Sequence, residues 1–366
     1  MLPITCSIPR WRRHRADHPE APHMALERTS SPSFLSDFQS ALRRRPAVAM
    51  VAGAAALLAA TALVNRYFAR KAERENPPQG RFIDIDGVRL HYMERGSGRP
   101  LVLFHGNGSM IQDFQSSGLI DLAAKDYRVV AFDRPGFGHS SRPRSIVWGP
   151  DEQADLFQKA LERLGIRGAI VLGHSWAASV AIALAIRHPS FVEALVLASG
   201  YYFPNPRVDL ATPSVPAVPG LGDIVSNTIS PLVARLMWPG LMRKIFGPQS
   251  VPEKFAGFPV EMAVRPSQLR ASAEEAAMMV PIALAASKTY SELTVPTVII
   301  AGEDDRLIEF EQSARLRDKV EQSRLRRIAG AGHMIQQSAT SDLMAAIEEA
   351  ASMSAKGERD PAHVDR

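Results

Sequence analysis

The chain is predicted to be an α/β protein with a mostly parallel sheet of about eight strands, and three observations predict it. Short apolar runs alternate with helical patterns, which is the rhythm of βαβ crossovers that place helices on both faces of one sheet. The runs "PLVLFHG", "RVVAFD", "AIVLGHS", "ALVLASG" and "PTVIIAGEDD" are continuous rather than alternating, as expected for strands covered on both faces. Finally, the rhythm breaks after the sixth strand, between Tyr201 and Leu293, in a proline-rich stretch with several helical patterns. That stretch is too long for a loop and is expected to form a helical insertion over the strand ends.

The elements follow in order. Residues 1–41 are rich in Arg, Pro, Ser and His without a sustained period, and are expected to be a disordered tail; Met24 within it offers a second start. From Pro46 to Val64 no residue is charged, with Arg43, Arg44 and Arg45 before the run and Arg66, Arg70 and Lys71 after it. At about 1.5 Å per helical residue the run spans roughly the hydrocarbon core of a bilayer. Residues 42–68 are therefore expected to be a single transmembrane anchor, with Tyr67 and Phe68 at the interface. A cleaved signal peptide is the alternative, since "ATA" at Ala60–Ala62 resembles a cleavage site, but the long extension before it argues against this. The arginines before the span favour the N-terminus inside and the main domain on the non-cytoplasmic side.

A linker is expected over 69–80, ending in "NPPQG", and the globular core over 81–200 and 294–353. "RFIDIDGVRLHYME" opens the core as a two-strand hairpin about Asp86-Gly87. Helical patterns are expected near 112–125, 151–164, 177–187, 310–319 and 341–351. The insertion takes 201–293 and a flexible tail 354–366.

Composition excludes some functions. With 46% hydrophobic and 22% charged residues the 366-residue chain is an ordinary globular one. Its net charge of +5 resides largely in the arginines of the tail. No basic patch interleaved with aromatics stands out, so a nucleic-acid partner is not expected. The single cysteine, Cys6, rules out an intramolecular disulfide and a cysteine metal cluster.

In an open parallel sheet, functional groups gather at the carboxyl ends of the strands. Those ends here are His105-Gly106-Asn107-Gly108, Asp133-Arg134-Pro135-Gly136, Gly173-His174-Ser175-Trp176-Ala177, Gly302-Glu303-Asp304-Asp305 and Gly330-Ala331-Gly332-His333. A serine, an acid and a histidine thus follow one another in chain order on one side of one sheet. With "HGNG", "DRPGFGHS", "GHSWA", "AGEDDRLI" and "GAGHM" in this order, the sequence resembles the α/β-hydrolase fold family from about Arg81 to Met353. Within it the chain looks like the serine hydrolases that carry a lid, a group of esterases, lipases, carbon–carbon bond hydrolases and proline-releasing aminopeptidases.

The resemblance implies a nucleophile elbow at Ser175, a sharp strand-to-helix turn that needs small residues two positions to either side. Gly173 and Ala177 fill these places, the alanine departing from a second glycine by one methyl group. His333 is the expected base and Asp305 the expected orienting acid, three residues after the strand-end glycine Gly302; Asp304 is its rival. Backbone N–H groups of Asn107 and Trp176 are expected to form the oxyanion hole. The Trp176 indole is left between two roles, lining an acyl pocket or packing between helix and insertion. Asp133 is expected to cap the turn that follows it.

Serine at position 175 points to acyl transfer, whereas relatives that open epoxides or remove halides use aspartate there. No metal-ligand set and no nucleotide-binding glycine motif is present, so no metal and no cofactor is expected. The expected substrate is a small ester-like molecule, an apolar acyl ester or lactone. A carbon–carbon bond hydrolase or an aminopeptidase with the same triad, or a non-catalytic ligand-binding module on this fold, are the alternatives. The oligomeric state is not legible.

Overall fold

A computed structural model describes residues 46–205, 214–218 and 220–357. The expected tail at 1–41, the basic flank at 42–45, two pieces of the insertion (206–213 and 219) and the residues from 358 onward lie outside the described part. The chain divides into two compact units, residues 1–54 and 55–366. The described part of the first is the beginning of helix α1 (Pro46–Glu75). That helix is long and apolar enough to cross a membrane, and its most apolar stretch has no buried residue.

The second unit carries an eight-stranded sheet: β1 (Arg81–Ile85), β2 (Val88–Arg95), β3 (Arg99–Phe104), β4 (Tyr127–Phe132), β5 (Ala169–His174), β6 (Val192–Ala198), β7 (Thr297–Gly302) and β8 (Ser323–Ile328). Their spatial order is β1-β2-β4-β3-β5-β6-β7-β8. β2 runs antiparallel to β1 and to β4, and all other pairs are parallel. The β1–β2 turn has both central residues at positive φ, Asp86 at 49° and Gly87 at 78°, as a two-residue hairpin requires.

Side chains alternate across the central strands and feed two cores. Val102, Phe104, Val171, Leu195 and Leu197 pack under α4 (Pro150–Arg163) and α5 (Ala177–Arg187), with Leu316 of α10 (Glu311–Lys319) on the same side. Leu101, Leu103, Ile170, Leu172 and Val196 face α2 (Ile111–Ser117), α3 (Leu119–Ala123) and α12 (Thr340–Gly357). Between β6 and β7 the chain makes α6 (Leu221–Thr228), α7 (Ser230–Phe246), α8 (Val260–Ala263) and α9 (Pro266–Ala286). The remaining short helix, α11 (Ile335–Ser338), follows the last strand-end loop.

Three sequence expectations need correction. The helix expected over 112–125 is two helices that part at Gly118. The expected linker at 69–80 is helical through Glu75: no breaker occurs before Pro77, Ala72 is buried against the inserted helices, and Glu73 pairs with Arg265 at 2.6 Å. The expected tail from 354 is helical as far as Gly357, with Ser354 buried.

Candidate active site

Ser175 stands between β5 and α5 with φ of 55°, a conformation that is strained for a residue with a side chain. Its N–H donates to Ala198 O of the neighbouring strand at 2.8 Å, which pins the turn. A Cβ on Gly173 would lie 2.4 Å from the carbonyl oxygen of Ala177, so the close approach falls on Gly173. The methyl of Ala177 is accommodated, fully buried, in the core under α5. The turn leaves Ser175 partly exposed while its neighbours are buried.

The Ser175 Oγ lies 2.9 Å from His333 Nε2, and His333 Nδ1 lies 2.7 Å from Asp305 Oδ2. A carboxylate only accepts, so Nδ1 carries the proton and the Nε2 lone pair is left to accept from the serine hydroxyl. Asp305 is buried, and its second oxygen accepts the N–H groups of Leu307 and Ile308 at 2.8 and 2.9 Å, which fixes the carboxylate plane. The rival Asp304 is exposed and accepts from Gly330 N–H at 3.1 Å, away from the imidazole.

The loop after β3 meets Ser175 directly. A Cβ on Gly106 would lie 3.1 Å from Ser175 Cβ and 2.9 Å from His174 Nδ1, so Asn107 follows a glycine packed on the elbow. The Asn107 side chain donates to Ser272 O of α9 at 3.0 Å. The Trp176 indole is buried, with the Arg134 guanidinium 4.9 Å from its ring centre.

His105, His174 and Asp133 brace the strand-end loops. His105 accepts the Arg134 N–H at Nε2, and burial, with Arg134 beside it, pushes its pKa down to about 3. His174 bonds the His333 carbonyl through Nε2 at 3.1 Å and is likewise held at about 3 by burial and then by His333. Asp133 accepts from Ile111 N–H, His139 N–H and His91 Nδ1, the last at 2.7 Å. Burial works against its charge, but these bonds outweigh it and hold the carboxyl below its ordinary value.

Three supports have no sequence signal of their own. The His333 N–H donates to Ile245 O of α7 at 2.9 Å, a main-chain contact that side-chain identity does not encode. Buried Asp113 of α2 accepts from Gln336 and Gln337 of α11 at 2.7 and 2.8 Å, tying down the helix just after His333. Arg134 donates from Nε to His105 O at 2.7 Å and forks onto Glu275 of α9, so it bridges the elbow loops and the insertion. Nothing local in the sequence marks Glu275 as its partner.

Residues 99–339 match the family described as alpha/beta hydrolase fold. The chain belongs to the α/β-hydrolase fold family. It is similar to the 2-hydroxymuconate semialdehyde hydrolase of Pseudomonas sp. (strain CF600), with 30% identity over 275 residues, 72% of this chain and 91% of that one. Among solved structures it is similar to a thermophilic esterase from Thermogutta terrifontis, with TM-score 0.61 and 18% identity over 75% of this chain and 99% of that chain. It is also similar to a membrane phospholipase A described as a bacterial virulence factor, with TM-score 0.60 and 22% identity over 86% of this chain and 99% of that chain. The protein is a hydrolase. In this hydrolase no group of three or more His, Cys, Asp or Glu with metal-binding geometry occurs among the described residues.

Proposed function

We propose that this hydrolase is a membrane-anchored serine enzyme that cleaves a carboxylic ester, an apolar acyl ester or a lactone, through an acyl-enzyme. One observation carries the reading: the continuous hydrogen-bonded line from Ser175 Oγ through His333 to buried Asp305. In the proposed reaction Ser175 Oγ attacks the carbonyl carbon and its proton passes to His333 Nε2. Asp305 stabilises the imidazolium, and the N–H groups of Asn107 and Trp176 receive the oxyanion. The intermediate then expels the alcohol, which takes the proton from His333. Water, deprotonated by the same imidazole, releases the acid. The helices between β6 and β7 act as the lid over this line, since α7 holds the His333 backbone and α9 the Asn107 side chain. The apolar run in α1 supports attachment by a single span, and the arginine-rich tail before it supports a catalytic unit on the non-cytoplasmic side.

The test is hydrolysis of p-nitrophenyl acyl esters by the full chain in detergent, beside Ser175→Ala. The wild type is expected to turn over and to be labelled at Ser175 by a fluorophosphonate, and the variant to do neither. Folded protein that takes no label at Ser175 would remove the reading.

A second reading is favoured by the 2-hydroxymuconate semialdehyde hydrolase similarity, which covers most of both chains. Here the same triad would cleave a carbon–carbon bond next to a carbonyl and expel a carbanion stabilised by conjugation. Relative kcat/KM on acyl esters and on 2-hydroxymuconate semialdehyde separates the two.

A further inference from the structure

We propose that the outer face of α6 and α7 lies in the lipid monolayer from which α1 emerges, giving this hydrolase a peripheral membrane contact in addition to its span. The proposal rests on the reading of α1 as a membrane span and deepens it.

The first ground is the distribution of apolar side chains on α7, "SPLVARLMWPGLMRKIF". Met242, Ile245 and Phe246 point inward and are buried with Phe255, Phe258 and Met262. The opposite stripe is apolar too: Leu232, Leu236 and Met237 recur at helical spacing and are 65%, 81% and 63% exposed. Leu221 and Ile224 of α6 and Ile229 between the helices extend it, each at least half exposed. A surface helix in water carries polar groups on its outer face, and a helix apolar all round calls for an apolar environment on both sides. Most of the exposed large apolar side chains outside α1, among the described residues, fall in this one segment. Contiguous apolar surface of this kind marks a contact with protein or membrane.

The second ground selects the membrane. Asn65 is buried and its Nδ2 donates to the Asn227 and Thr228 carbonyls at 3.0 and 2.7 Å, the last carbonyls of α6. A groove of about 700 Å³ is walled on one side by Ala60, Thr61 and Val64 and on the other by Leu232 and Arg235. The last turn of the apolar run that ends at Val64 therefore stands beside the first turn of α7. Whatever depth the lipid surface has at Val64, it has at Leu232 as well. The exposed stripe is thus continuous with the surface of α1 over Ala60–Val64.

Charge agrees with that placement. Residues 221–246 contain one acid, Asp223, and three bases; Arg235 is paired with Glu261 at 2.7 Å, and Arg243 and Lys244 lie beyond the apolar stripe. Apolar residues on one side and bases at the margin are the pattern of a helix lying in an anionic interface. The exposed Tyr67 and Phe68 of α1 occupy the same level, with Phe68 5.6 Å from the Arg235 guanidinium.

The test uses the full chain with Cys6→Ser, reconstituted in vesicles of phosphatidylcholine with a minority of phosphatidylglycerol. An environment-sensitive fluorophore is placed at Leu236→Cys, at Leu57→Cys within the span, and at Glu321→Cys, exposed at the opposite end of the sheet. The expected result is a blue-shifted emission, quenched by lipids spin-labelled on the acyl chain, at positions 236 and 57, and quenching by aqueous iodide alone at 321. If the label at 57 senses lipid while that at 236 is open to iodide, the span stands and the peripheral contact is overturned. A label at 236 shielded from both quenchers would mean that a second copy or another part of the chain covers the face, which also overturns the proposal. A label at 57 open to iodide would overturn the span itself.

Discussion

Arg134 and Glu275 form a two-pronged ion pair in which both side chains are wholly buried, joining the loop after β4 to the inserted helix α9. Gln153 of α4 accepts from the same guanidinium at 3.1 Å, and the Nε–H holds the His105 carbonyl. One buried cation therefore ties the insertion, the end of β3 and a core helix together.

Removing one partner leaves the other charge buried without compensation. Glu275→Gln is expected to lower the unfolding free energy by about 3–5 kcal/mol, measured by urea denaturation. Replacing both, Arg134→Met with Glu275→Leu, is expected to be less destabilising than Glu275→Gln alone. A double variant weaker than the single one would contradict this account of the pair.

In the proposed mechanism Asp305 has a separable effect. Asp305→Asn retains a carbonyl oxygen for Leu307 and Ile308 N–H but presents an amide to His333 Nδ1. The imidazole is then driven to the wrong tautomer, and kcat is expected to fall by about ten-thousand-fold with the melting temperature nearly unchanged. Asp304→Asn, at a carboxylate that accepts from Gly330 N–H away from the imidazole, is expected to retain activity within a few-fold. Steady-state kinetics on the two variants would reverse the assignment if the losses were interchanged.

The two small residues flanking Ser175 are not equivalent. A methyl at Gly173 has no room against the Ala177 carbonyl, so Gly173→Ala is expected to destabilise by about 1–3 kcal/mol and to displace the elbow. Ala177→Gly opens space that nothing needs. It is expected to change stability by no more than about 1 kcal/mol and to leave kcat/KM unaltered. Thermal melts and ester kinetics on both variants check the contrast.

Acid sensitivity follows from the buried imidazoles. His105 and His174 titrate at about 3 in the folded protein against an ordinary value of 6.5, chiefly because burial disfavours the cation. Between these values the unfolded chain binds more protons, so this stabilising contribution is present above pH 6.5 and lost as the pH falls toward 3. The slope is up to about 1.4 kcal/mol per pH unit for each group. Asp113, raised by burial, acts in the opposite direction. The urea midpoint is expected to drop between about pH 7 and pH 5, and to drop less in His174→Gln. A midpoint constant over that interval would refute the claim.

Apolar runs and the motifs that end them were enough to predict the α/β class, the parallel sheet and the interruption after the sixth strand, because burial on both sheet faces leaves a local, periodic trace. The family resemblance rested on the same strand ends, and Ser175, Asp305 and His333 were nominated from them. Helix ends were less legible: α1 continues past Phe68 because Ala72 and Glu73 find partners on helices far along the chain, and no local pattern anticipates a distant partner. Tertiary structure alone decided that Asp305 rather than Asp304 faces the imidazole, that Ile245 O holds the His333 backbone, and that Arg134 meets Glu275. Each joins groups that are remote in sequence or alike in composition. It also decided that the apolar residues of α7 point two ways, since periodicity identifies a helix's faces but only packing shows which of them another element covers.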